Sequence, residues 1–169
     1  RSVTKWGERK DSGRRCSLMD GMEQGVFVGT YRHALDPKRR LTIPSEWRAL
    51  MAETNRVYVI PGIEEKCLYV YTAQEMTRRM QKVRDLSVAD EKARTLLRQV
   101  ASQASSAVWD SQGRIRINDA LLEHAGIDAQ VVLSGAFFRF EVWSPGEFDR
   151  VSRESAEGGL AEAARYAGF

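Results

Sequence analysis

The sequence predicts an α+β fold in which a tandem pair of β-hairpin/helix units forms one pseudo-symmetric domain. The clearest observation is a repeated motif, since residues 36–44 (DPKRRLTIP) return 74 residues later as residues 110–118 (DSQGRIRIN). The apolar segment 57–60 returns as 131–134 at the same offset, and 68–76 returns as 140–148 at an offset of 72. Self-similarity at a nearly constant period indicates repeated structural units.

Each copy predicts the same series of elements. A strand leads into a turn that begins with aspartate, a strand with alternating apolar and polar residues leaves the turn, and a short helix, two further strands and a closing helix follow. The predicted strand pairs are 57–60 with 67–71 and 131–134 with 137–143. Between the copies, apolar residues from Ala93 to Ala104 recur at helical spacing, which predicts a linking helix.

Polar residues at the expected helix starts predict the caps. Ser45 is the expected N-cap of the first short helix, and Asn118 or Asp119 is the expected N-cap of the second. The closing helices begin with two capping-box patterns, Thr72 with Glu75 and Ser144 with Glu147.

Composition divides the chain into three parts. Residues 1–25 show little periodicity and are expected to form a flexible N-terminal extension. Residues 26–100 form the first unit with the linking helix, and residues 101–169 form the second unit with a C-terminal helical tail. The first unit has 14 basic and 9 acidic residues, whereas the second has 6 and 10. A polyanionic partner is therefore expected to contact the first unit.

Several functional classes find no support in the sequence. The apolar runs are shorter than the roughly 18 residues of a membrane helix, and no secretory leader is recognisable, so a cytoplasmic protein without a membrane partner is expected. Cys16 and Cys67 are far apart and are expected to be ordinary thiols. His33 and His124 have no partners at metal-binding or catalytic spacing, so we expect no metal, no cofactor, no small-molecule ligand and no enzymatic activity.

Both repeated motifs begin with a residue that suits a type I turn. The carboxylates of Asp36 and Asp110 are expected to accept turn N–H groups and so to stabilise the turns, as is Gly113 at the fourth position of the second turn. The first turn has Arg39 where glycine would relax the backbone. In a left-handed conformation a non-glycine residue costs about 1 kcal/mol, which suggests that positive charge is useful there.

The basic residues of the turns are candidates for DNA binding. A guanidinium group can bind a phosphate or a guanine edge with two hydrogen bonds, and a two-stranded ribbon fits the major groove. Solvated charge, or an ion pair between each Asp and the Arg four residues later, is the alternative interpretation. The candidate DNA-binding residues are Arg40, Lys38, Arg39, Arg32, Arg114 and Arg116.

The motifs around the first turn resemble those of the MraZ family of bacterial transcriptional regulators, which are relatives of AbrB-type swapped-hairpin proteins. Phe27 to Tyr31 (FVGTY), Leu35 to Pro44 (LDPKRRLTIP) and Asp110 to Ile115 (DSQGRI) carry the resemblance, which covers about residues 26–150. Arg39 departs from the usual glycine, and Val26 stands where family chains begin with Met, so a start at a GTG codon is a hypothesis.

The resemblance implies two AbrB-like units and a homo-oligomeric ring that is associated with the nucleoid. It also implies sequence-specific binding of double-stranded DNA at short direct repeats in the promoter of a division and cell-wall operon, which the protein represses. The alternatives are a swapped-hairpin, antitoxin-like regulator and a ring-forming scaffold, each acting mainly through a protein partner. Antitoxin-like proteins usually carry one hairpin unit, so the fused pair argues against the first alternative.

Overall fold

The computed structural model describes residues 26–51, 54–87, 90–157, 164–166 and 168, so the predicted extension 1–25 and Cys16 lie outside the described residues. Within these ranges the chain folds into eight strands and five main helices. The strands are β1 (Thr30–Ala34), β2 (Arg40–Thr42), β3 (Arg56–Pro61), β4 (Cys67–Thr72), β5 (Ser105–Val108), β6 (Arg114–Arg116), β7 (Gln130–Gly135) and β8 (Phe140–Trp143). The helices are α1 (Ser45–Ala49), α2 (Ala73–Ser87), α3 (Glu91–Gln103), α4 (Asp119–His124) and α5 (Pro145–Glu157).

Six strands form one antiparallel sheet in which the two units exchange their first strands. The strand order is β1-β7-β8-β4-β3-β5. β1 of the first unit pairs with β7 of the second, from Thr30 opposite Ser134 to Ala34 opposite Gln130. β5 of the second unit pairs with β3 of the first. The exchange makes the two units one domain, which confirms the predicted α+β double-unit fold.

The two remaining strands form a separate ribbon beside this sheet. β2 and β6 pair antiparallel with Leu41 opposite Ile115 at the centre, and both of these side chains are completely buried. Arg40 lies opposite Arg116, and Thr42 lies opposite Arg114. Because alternate residues of a strand face opposite sides, the buried pair at the centre turns the flanking polar residues away from the core.

One large core occupies the space between the sheet, the ribbon and the short helices. Trp47 of α1 is 2% exposed, and its ring centroid lies 5.0 Å from those of Tyr31 and Phe140 and 5.6 Å from that of Phe27. Aromatic edges and faces in this range attract each other beyond the gain from burial. The other core residues include Leu41, Ile43, Val57, Val59, Leu68, Val70, Ile115, Ile117, Leu122, Leu133 and Val142.

A smaller cluster lies on the other face of the sheet. Cys67, Val132 and Trp143 pack there against Phe148 and Val151 of α5. Burial, helped by the nearby carboxylates of Glu141 and Glu65, raises the pKa of the Cys67 thiol to about 12. The thiol is therefore free, buried and protonated at neutral pH, in agreement with its interpretation as an ordinary cysteine.

Some element boundaries differ from the predicted ones. Pro44, with φ −51° and ψ 140°, occupies the N-cap of α1 without a side-chain hydrogen bond, so the predicted cap at Ser45 is wrong. The last strand begins at Phe140 instead of residue 137, because Phe137 has φ 58° and Phe138 donates to the Ala136 carbonyl in a turn. The linking helix expected from the apolar residues between Ala93 and Ala104 is present as α3, which ends at Gln103.

Other predicted caps agree with the structure. The Asn118 side chain accepts a hydrogen bond from the Leu121 N–H at 2.8 Å and caps α4. The Thr72 hydroxyl accepts one from the Glu75 N–H at 3.1 Å at the start of α2. These caps satisfy N–H groups that have no partner within the helix.

Candidate nucleic-acid interface

The two aspartate turns at the ends of the ribbon have the same hydrogen-bond geometry. In the first, Asp36 Oδ1 accepts from the N–H groups of Lys38 and Arg40, both at 2.9 Å. In the second, Asp110 Oδ1 accepts from the N–H groups of Gln112 at 2.9 Å and Arg114 at 3.0 Å. A carboxylate that binds its own backbone two and four residues later holds the turn in one conformation.

Each aspartate also binds the arginine four residues later. Arg40 Nε and Nη2 lie 2.7 and 2.6 Å from Asp36 Oδ2, and Arg114 Nε and Nη2 lie 2.9 and 2.7 Å from Asp110 Oδ2. Arg40 differs from Arg114 because its Nη1 also reaches Asp110 Oδ2 at 3.5 Å. Arg40 therefore joins the two turns into one cluster.

The tip of the first turn has a strained backbone at Arg39. This residue has φ 57°, and the equivalent Gly113 of the second turn has φ 75°. The left-handed conformation costs a non-glycine residue about 1 kcal/mol. The Arg39 side chain is 45% exposed, and its Nε lies 3.5 Å from Asp119 Oδ1 at the start of α4. The first turn thus keeps a cation at its tip where the second has none.

The structure brings five of the six candidate DNA-binding residues together on the ribbon and its turns. Those five are Lys38, Arg39, Arg40, Arg114 and Arg116. Arg32 instead lies on β1 at the edge of the sheet, where its Nη2 is 2.8 Å from Asp149 of α5. Lys38 and Arg116 are exposed, whereas the side chains of Arg40 and Arg114 are only 28% and 25% exposed. The exposed cations are therefore more accessible to a phosphate than the two arginines bound by aspartate.

The arginine contacts change the acidity of both aspartates. The hydrogen bonds from the Arg114 side chain and backbone lower the pKa of Asp110 to about 2. Partial burial alone would raise the pKa of Asp36, but hydrogen bonds from Arg40 and from the Lys38 N–H outweigh burial and bring the pKa below its usual value. Both carboxylates are ionised at neutral pH, so the cluster of two aspartates and two arginines has no net charge.

Acidification is expected to destabilise the fold as these aspartates protonate. A carboxyl with a lower pKa in the folded state stabilises it fully above the unfolded pKa of about 3.9. This contribution is lost as the pH falls through the folded value, which is about 2 for Asp110. Urea unfolding midpoints between about pH 5 and pH 2.5 should fall less in Asp110→Asn than in wild type. Asp128→Asn, at an exposed aspartate, is the control and should follow wild type. Parallel curves for all three proteins would contradict the prediction.

The sequence as a whole matches one family model twice. The model is described as "MraZ protein, putative antitoxin-like", and it matches residues 26–99 and 100–168. The chain belongs to the MraZ family. The family resemblance of the two turn motifs is thereby confirmed.

Relatives of known name support the same assignment. A transcriptional regulator MraZ of Kocuria rhizophila is 36% identical over 129 residues, which are 76% of this chain and 88% of the relative. Proteins of the same name from Micrococcus luteus and Moorella thermoacetica are 36% and 35% identical, over 70% and 78% of this chain and 80% and 90% of the relatives. Each of these MraZ relatives is named as a regulator and not as an enzyme.

Three further features of this MraZ chain are its potential metal ligands, its helices and the position of His33. Among the described residues, no group of histidine, cysteine, aspartate or glutamate side chains has the arrangement of a metal site. None of the helices in the described ranges has the length and apolar character needed to cross a membrane. His33 lies on β1 with Nε2 buried, stacked at 6.4 Å on Tyr31, so it is not part of the ribbon.

Sequence reasoning missed one basic residue at this MraZ surface. Arg48 of α1 is half-buried and lies directly over Gly113, so that an added Cβ on that glycine would be 2.5 Å from its guanidinium carbon. The contact joins the helix of the first unit to the turn of the second. Gly113 is the repeat equivalent of Arg39, and its lack of a side chain is the one sequence feature that indicates a neighbouring group in this space.

Proposed function

We propose that the chain is a transcriptional regulator that binds double-stranded DNA through the β2–β6 ribbon and its two aspartate turns. The observation that carries the proposal is the pair of rigid turns joined by Arg40, with exposed cations beside them. Lys38 and Arg39 extend from the first turn, and Arg116 lies on the ribbon. The relatives named as transcriptional regulators support the same function.

The shape and charge of this surface suit a DNA duplex. A two-stranded ribbon can enter the major groove, where guanidinium groups bind guanine edges, and cations at its ends bind phosphates. Each phosphate contact releases condensed counterions. Asp36 and Asp110 act within the protein, because their oxygens are occupied by backbone N–H groups and arginines. Arg40 and Arg114 then position the turns, and Arg32 is a peripheral contact that requires release from Asp149.

We further propose that the protein acts as a homo-oligomeric ring on short direct repeats and represses its own division and cell-wall operon in the cytoplasm, on the nucleoid. One pair of turns makes few contacts, but several copies on tandem repeats bind at high effective concentration. Exposed apolar side chains suit subunit contacts, since Leu96 on α3 is 48% exposed and Phe138 is 58% exposed.

Binding to the region upstream of the gene tests this function. The probe is a duplex containing the tandem repeats of that region, and the control is a duplex of the same composition with the repeats scrambled. We expect preferential binding to the repeats, with a log–log salt slope of about −3 for each bound subunit if Lys38, Arg39 and Arg116 each neutralise one phosphate. Equal weak binding to both duplexes would contradict the proposal. It would favour the antitoxin-like or scaffold alternative, which acts through a protein partner.

A further inference from the structure

The tip of the second turn has no cation of its own, but the side chain of Arg48 lies beside it. Residues 38 and 39 of the first turn are lysine and arginine, whereas the equivalent residues 112 and 113 are glutamine and glycine. Gly113 is buried, and the Cδ, Nε and Cζ atoms of Arg48 all lie 2.5 Å from the position of an added Cβ. Glycine suits this position for two reasons. The backbone is left-handed, and a side chain here would displace Arg48.

Arg48 is fixed in this position by one hydrogen bond. Its Nε donates to the Ile43 carbonyl at 3.2 Å, and the N–H of Ile43 donates to the Gly113 carbonyl at 2.9 Å. Helix α1, the ribbon and the second turn are thus linked through Ile43. Within the described ranges, neither Nη atom of Arg48 forms an ion pair or hydrogen bond. The carboxylate nearest in sequence, Glu46, accepts from the Tyr31 hydroxyl at 2.7 Å instead.

The geometry points to a phosphate-binding role for Arg48, and this inference rests on the proposed DNA-binding function. Arg39 places a cation at the tip of the first turn from within the turn. We propose that Arg48 supplies the corresponding cation at the second turn from the helix of the first unit and binds a backbone phosphate of DNA. The second turn then contacts DNA as the first does, although its own sequence is neutral apart from the Asp110–Arg114 pair.

The chemistry of the side chain favours an oxyanion. The terminal nitrogens of a guanidinium group present a planar set of N–H donors that matches two oxygens of a phosphate. The Nε bond to Ile43 already restricts the side chain, so less conformational entropy is lost on binding. Half-burial also reduces competition from water, which strengthens a charge-assisted hydrogen bond.

Two substitutions of Arg48 separate charge from structure. Arg48→Gln removes the charge, whereas Arg48→Lys keeps the charge and loses the bond to Ile43. Arg98→Gln, at an exposed arginine of α3, is the control for the same change in net charge. The probe is the repeat-containing upstream duplex, with affinity measured from about 0.05 to 0.3 M salt.

We expect Arg48→Gln to reduce the magnitude of the log–log salt slope by about 0.9 for each bound subunit, with a roughly 5- to 10-fold loss of affinity near 0.1 M salt. Arg48→Lys and Arg98→Gln should keep the wild-type slope. A wild-type slope in folded Arg48→Gln would overturn the role of Arg48 but leave the proposed DNA-binding function intact. If Arg48→Gln does not fold by circular dichroism, Arg48→Met takes its place, because methionine keeps an unbranched apolar stem and removes the charge. The same reduction in slope is then expected, and a wild-type slope overturns the inference. A wild-type protein that does not prefer the repeats would overturn the proposed function first.

Discussion

Replacing Arg40 with alanine is expected to weaken binding to the upstream duplex roughly 10- to 100-fold, the range expected when charge-assisted hydrogen bonds that position a site are lost. Arg114→Ala should cause a smaller loss. The reason is that Arg40 contacts both aspartates, at 2.6 Å for Asp36 and 3.5 Å for Asp110, whereas Arg114 contacts Asp110 alone. Without Arg40, both turns lose a partner. The Asp36 carboxylate then lies unneutralised beside the expected path of the phosphates, whereas Asp110 keeps its pair with Arg114.

The effect of these substitutions is measured as the affinity for the repeat-containing duplex and as the preference for it over the scrambled duplex. Arg40→Ala and Arg114→Ala are compared at one salt concentration on the repeat-containing and scrambled duplexes. Arg40→Lys retains the charge but cannot contact Asp36 through two nitrogens, as arginine does. Compared with Arg40→Ala, it should therefore restore non-specific binding more than the preference for the repeats. Equal losses for the two alanine variants would show that the contact between Arg40 and Asp110 does not matter for binding.

Much of the fold was predictable because the repeat is encoded locally. The offset of 74 residues pairs Asp36 with Asp110 and residues 57–60 with 131–134, and the structure gives these segments equivalent conformations. The alternation of Leu41 and Ile115 with polar neighbours predicted which side of the ribbon is buried. Period and alternation are properties of neighbouring residues, so they can be read from one sequence.

The exchange of β1 and β5 could not be predicted from the residues in the same way. A strand shows the same alternation of apolar and polar side chains whether it pairs within its own unit or with a strand of the other unit. Only the strand it pairs with differs. β1 pairs with β7, about 100 residues later in the chain, and no pattern in the residues of β1 specifies that partner. Only the resemblance to swapped-hairpin proteins pointed to an exchange.

The sequence predicted most residues of the candidate site but not the contacts that join one turn to the other unit. Asp36 and Arg40 stand four residues apart in one motif, and this spacing allows an ion pair between them. The reach of Arg40 to Asp110 and the position of Arg48 over Gly113 both join different units. Such contacts depend on how the ribbon brings the turns together, which no single motif encodes.

Replacing Trp47 with alanine is expected to destabilise the protein by about 3–5 kcal/mol, the cost of removing a buried aromatic side chain. Trp47 is 2% exposed and contacts Phe27, Tyr31 and Phe140, and its Nε1 donates to the Val28 carbonyl at 3.0 Å. Since small domains are stable by only about 5–15 kcal/mol, this is a large share of the total. The measurement is equilibrium urea unfolding, followed by circular dichroism.

Trp47→Phe is the control, because it keeps an aromatic ring and loses the hydrogen bond to Val28, so its cost should be nearer to 1 kcal/mol. Trp47 contacts Tyr31 of the first unit and Phe140 of the second, and the two units exchange β1 and β5. A defect at Trp47 should therefore lower the stability of both units together, in one transition. Two separate transitions in Trp47→Ala, with one at the wild-type midpoint, would show that the second unit folds independently despite the exchanged strands.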